Sequence, residues 1–73
     1  MEKMLKELEQ EKEELQLRVW KLYDFLSDED NKMKTNHEQW FLMGKQLKVM
    51  EEYVTVLKVR IKIIKNDLMW RDK

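Results

Sequence analysis

A chain of 73 residues with 15 basic and 15 acidic side chains, one His, no Cys and no Pro lacks most of the means by which small folds are stabilised. One core of this size contributes roughly 3 to 5 kcal/mol, and chains this short usually add disulfides, a structural metal or association with copies of themselves. The missing Cys and the lone His37 remove the first two, so oligomerisation is expected, and the formal charge of zero argues against tight binding to duplex nucleic acid.

The chain starts Met1-Glu2-Lys3-Met4-Leu5-Lys6-Glu7, charged throughout and without the apolar stretch of a signal peptide. No segment approaches the ~18 uncharged apolar residues of a membrane span. A cytoplasmic protein with no membrane partner is expected. With one Gly and many Glu, Lys, Leu, Gln and Met residues, the composition favours helix nearly everywhere.

The first predicted helix covers about residues 2–28. Met1, Leu8, Leu15 and Leu22 share one heptad position, and Leu5, Lys12, Val19 and Leu26 share the other member of an a/d seam. Lys12 is its polar member; a long Lys at a seam edge more often snorkels to water than sets register. Trp20 falls off this seam and Tyr23 flanks it. Both are read as covering a second contact, since aromatic residues concentrate at interfaces.

A turn is expected over about residues 29–35. Ser27-Asp28-Glu29-Asp30-Asn31-Lys32 is polar and turn-prone, and Thr35-Asn36-His37-Glu38 matches a capping box with Thr35 as the cap and Glu38 reaching back.

The second predicted helix covers about residues 36–70. Trp40, Met43, Leu47, Met50, Val54, Leu57, Ile61, Ile64 and Leu68 step by alternating three and four with no polar interruption, the strongest signal in the chain. At 1.5 Å per residue the helix would be roughly 50 Å long. A further stripe, Leu42, Val49, Val56, Ile63 and Trp70, recurs every seven residues with Tyr53 beside it. It widens the apolar arc to about 160°, more than one neighbouring helix can cover. These six residues are therefore the expected oligomer interface.

Residues 1–30 hold ten acids and five bases, and residues 31–73 hold five acids and ten bases. Folding the chain back on itself sets Glu7, Glu9 and Glu11 beside Lys58, Arg60, Lys62 and Lys65, so opposite charges meet. The expected fold is all-α: one domain over residues 1–73, an antiparallel two-helix hairpin assembling into a homo-oligomeric bundle.

Chemistry-bearing arrangements are scarce. His37 and Glu38 belong to a capping segment, no Cys nucleophile or Gly-rich phosphate loop exists, and the adjacent acids Glu13-Glu14 and Glu51-Glu52 point in different directions on a helix. No enzyme, metal site or cofactor is expected. Lys58, Arg60, Lys62 and Lys65 alternate with apolar residues and do not share one face, which suits solvated or ion-paired edges better than a nucleic-acid strip.

Glu11-Lys12-Glu13-Glu14-Leu15, Lys21-Leu22, Phe25-Leu26, Gln46-Leu47, Met50, Tyr53, Leu57 and Arg60-Ile61 together resemble a family of small helical proteins encoded by tailed bacteriophages, including crAss-like phages. Gly44 and the tail after Ile64 depart from that pattern. The resemblance implies a phage accessory protein that antagonises host defence by binding, active in the cytoplasm of the infected bacterium. By analogy of class, the ligand would be a cyclic nucleotide immune signal sequestered between subunits. Trp20, Tyr23, Tyr53, Lys58 and Arg60 are the candidate ligand residues, with cations for phosphates and rings for bases. Two other readings stay open: direct inhibition of a host defence protein through the outer stripe, and a structural or regulatory coiled coil.

Overall fold

The computed structural model describes residues 2–71 and contains three helices: α1 (Glu2–Leu26), α2 (Glu29–Lys34) and α3 (His37–Arg71). No strand is found among the described residues. Their envelope measures 57 × 15 × 14 Å, hardly longer than the roughly 52 Å that α3 spans by itself, so α1 lies alongside α3. Phe25 faces Trp40 near the connection, with ring centroids 6.1 Å apart, while Glu11 pairs with Tyr53 farther along. As position rises in α1 it falls in α3, and the two helices run in opposite directions.

The apolar spacing explains that packing. Leu8, Leu15, Val54, Leu57, Ile61 and Ile64 form the buried core, with Leu5, Val19, Met50 and Leu68 packed around it. All nine seam residues of α3 from Trp40 to Leu68 are buried or half-buried, as are Leu5, Leu8, Lys12, Leu15, Val19, Leu22 and Leu26 of α1. Met1, the remaining seam residue, lies outside the described residues. Among the described residues only Leu57 is fully buried, at 0% exposure. Leu8 shares its core with Ile61 and Ile64, so the Glu-rich start of α1 lies along the basic part of α3.

The connection corrects the expected two-helix count. Residues 29–34 form a helical turn and a half, because the Asp28 carboxylate accepts a hydrogen bond from the Asp30 amide at 2.9 Å. Glu29 and Asp30 at its start and Lys32 and Lys34 at its end also suit the helix dipole. The expected capping residue shifts by one. Thr35 closes α2, its amide donating to the Asn31 carbonyl, while Asn36 caps α3 by accepting from the amides of Glu38 at 2.8 Å and Gln39 at 3.3 Å. A short amide side chain fills the cap position at least as well as a hydroxyl. Asn31 ties α2 back to α1 through a bond to the Phe25 carbonyl at 3.1 Å.

Candidate functional site

With α1 covering one face of α3, the pair has two flanks. On the first, Gln16, Trp20 and Tyr23 of α1 meet Glu51, Thr55 and Lys58 of α3 across a groove of about 450 Å³ floored by Val19 and Val54. Trp20 and Tyr23 lie three apart on α1 and project to this side, and each is more than half exposed. Lys58 and Thr55, also three apart, come from the facing edge of α3. Three of the five expected ligand residues therefore gather in one groove of a size that small-molecule ligands occupy.

Tyr53 and Arg60 stand on the opposite flank, so the expected five-residue set is divided between two surfaces. The Tyr53 hydroxyl donates to the Glu11 carboxylate. Glu14, Leu15 and Arg18 line the small hollow around that bond. The Glu11 carboxylate holds the Tyr53 hydroxyl above its ordinary pKa, first by accepting its proton in a hydrogen bond, with desolvation and the negative charge adding to the effect; Arg60 pulls the other way. Arg60 therefore acts on Tyr53, seven residues away on the same face of α3.

The outer stripe begins beside that flank. Leu42, Val49, Val56, Ile63 and Trp70 are each more than half exposed, and Tyr53, 44% exposed, reaches α1 through its bond to Glu11, so most of the surface expected to form an interface lies uncovered. Leu17, Phe41, Val59 and Met69 are exposed as well, and Met33 is 85% exposed. Among the described residues fifteen large apolar side chains are exposed and six are buried, so this helix pair leaves much apolar surface uncovered. The Lys45 ammonium stands 4.8 Å from the centre of the Phe41 ring.

Gln16, Glu51 and Thr55 on the first flank and Arg18 on the second were absent from the expected ligand set. The spacing of Gln16, Val19, Trp20 and Tyr23 marks one side of α1 and could have pointed to the groove. Which side of α3 meets it depends on how the two helices are rotated against each other, and no periodicity states that. Among the described residues no helix is long and apolar enough to cross a membrane, and no group of three or more His, Cys, Asp or Glu could hold a metal ion.

No curated protein and no solved structure matches the chain. The Sequestin family matches it over residues 2–63, which takes in α1, α2, the groove residues, Tyr53, Arg60 and α3 as far as Ile63. With 62 of its 73 residues inside that match, the chain belongs to the Sequestin family.

Proposed function

We propose that this chain is a non-enzymatic sequestering protein that works as a homo-oligomer and withdraws a nucleotide immune signal from solution, as an accessory protein of a tailed bacteriophage acting against bacterial defence in the host cytoplasm. The family name supports the sequestering part. The groove between α1 and α3 carries the ligand part, because it sets two aromatic rings, Trp20 and Tyr23, beside one cation, Lys58. Rings stack on a base while an ammonium answers a phosphate, and binding by such groups needs no reactive side chain.

The test is a calorimetric titration of the purified chain with cyclic di- and trinucleotides and with nucleotide derivatives. Saturable heat with one of them is expected. A stacking ring contributes roughly 1 to 3 kcal/mol, so Trp20→Ala should weaken that binding roughly fivefold to a hundredfold. Absence of heat with every ligand removes the nucleotide reading. The exposed stripe of α3 favours a second reading, direct inhibition of a host defence protein that lays a helix on it. A stoichiometric host protein co-purifying with the tagged chain from infected cells would support that reading, and recovery of the tagged chain alone would end it.

A further inference from the structure

The buried cluster occupies one half of the hairpin. Its members and the residues packed around them fall between Leu5 and Val19 on α1 and between Met50 and Leu68 on α3. From residue 20 to residue 49, a stretch that takes in the end of α1, all of α2 and the start of α3, no described residue is buried. Leu22, Leu26, Trp40, Met43 and Leu47 continue the seams there and are only half-buried. A hollow of about 350 Å³ separates Leu22 and Phe25 on α1 from Gln46 and Met50 on α3. Gly44, the residue of lowest helix propensity in α3, lies in the same stretch. The contacts that close this half near the connection, the tilted rings of Phe25 and Trp40 and the bond from Asn31 to the Phe25 carbonyl, are exposed to solvent at Phe25. A helix pair opens first where buried apolar contact is thinnest, and here that is the connection half.

The groove on the first flank crosses the boundary between the two halves. Its α3 wall, with Thr55 and Lys58, stands beside Val54 and Leu57 of the buried cluster, whereas Trp20 and Tyr23 lie beyond Val19, the last residue of α1 packed against that cluster. One wall is therefore anchored and the other is not. We propose that the groove is hinged: the end of α1 beyond Val19, together with α2, swings away from α3 while the buried cluster stays closed, and carries Trp20 and Tyr23 away from Lys58. The backbone at Thr35, extended between α2 and α3, supplies the joint at the far end of the moving segment. An open groove admits a ligand larger than the closed one holds, and the two rings then close over it. This deepens the reading of the groove as the ligand site and rests on it for its purpose, though the motion itself follows from the packing alone.

The test is amide hydrogen exchange of the full, unaltered chain, followed residue by residue by NMR. Residues 43–47 lie as far inside the first end of α3 as residues 61–65 lie inside its last, so fraying of helix ends treats the two stretches alike. Exchange about tenfold or more faster at residues 43–47, and at residues 22–26 of α1, is expected. Relaxation dispersion should show motion at the amides of Trp20 and Tyr23 and none at those of Thr55 and Lys58. A chain carrying Leu22→Cys and Met50→Cys, which line one hollow in a protein with no cysteine of its own, should lose that motion when oxidised within one chain and regain it on reduction. Equal exchange in the two stretches of α3 would overturn the proposal, whether or not the double variant folds. Motion at Thr55 and Lys58 equal to that at Trp20 and Tyr23 would overturn it as well, in favour of a hairpin that opens as a whole. No ligand enters these measurements, so a failed nucleotide titration and a rigid groove are separate results.

Discussion

Leu57 and Tyr53, four residues apart on α3, show how differently single side chains matter in a chain with so small a core. Leu57 has no exposed surface and belongs to the buried cluster. Truncating a buried Leu to Ala removes about 2 to 5 kcal/mol, which equals most of what a core of this size supplies. Leu57→Ala is therefore expected to abolish a cooperative thermal transition followed by circular dichroism, whereas Leu17→Ala at an exposed position should change stability by no more than about 0.5 kcal/mol. Tyr53 makes a polar link between helices. Its pKa is raised above the ordinary 10.0 chiefly by the hydrogen bond to Glu11, so the folded state favours the neutral phenol. What that bond adds to stability is fully present below the ordinary pKa and is lost as pH rises through the raised value. In a Tyr23→Phe background, absorbance titration should place the Tyr53 midpoint above 10.0, and Glu11→Ala should bring it down. An unchanged midpoint would mean that Glu11 is not its partner in solution.

At the level of elements, the seams of α1 and α3 were legible in the sequence because a period of three and four has one helical meaning, and every described seam residue is at least half-buried. Helix α2 was not legible, since six residues with Met33 largely exposed carry no apolar pattern, and its existence depends on the Asp28 cap and the order of its charges. The shift of the cap from Thr35 to Asn36 has the same origin: adjacent residues of similar cap preference differ only in backbone geometry. Asn36→Ala, which removes the acceptor of two amides, should cost about 0.5 to 2 kcal/mol and lower the melting temperature. Thr35→Ala should lower it less, and the reverse order would restore the cap first expected. Gly44 sits inside α3 with open space around it, since a methyl group there would meet no atom within 4 Å. Gly44→Ala should then stabilise the chain by roughly 0.5 to 1 kcal/mol, read as a melting temperature several degrees higher. The candidate groove was half legible. Its residue types were singled out, but the division of Trp20, Tyr23 and Lys58 from Tyr53 and Arg60 follows from the rotation of α1 against α3.

For the molecule as a whole, the deciding quantity is the apolar surface left uncovered when α1 and α3 have packed. Six buried side chains make a marginal core, and Val49, Val56 and Ile63 present a continuous row in contact with water. If copies of the chain cover that row, association and folding are linked, and stability depends on protein concentration by mass action. The melting temperature should therefore rise with concentration, and the mass in light scattering should fall towards that of one chain on dilution. Val56→Lys places a cation at the centre of the row, where an apolar interface between copies could not bury it without cost. It should abolish both the concentration dependence and the larger mass while leaving the circular dichroism of α1 and α3 at high concentration largely helical, because Val56 is not part of the buried cluster. Lys48→Glu, a charge change on the solvent side of the same helix, should leave the mass unchanged. A chain whose melting temperature is independent of concentration and insensitive to Val56→Lys would show that the row is not buried between copies.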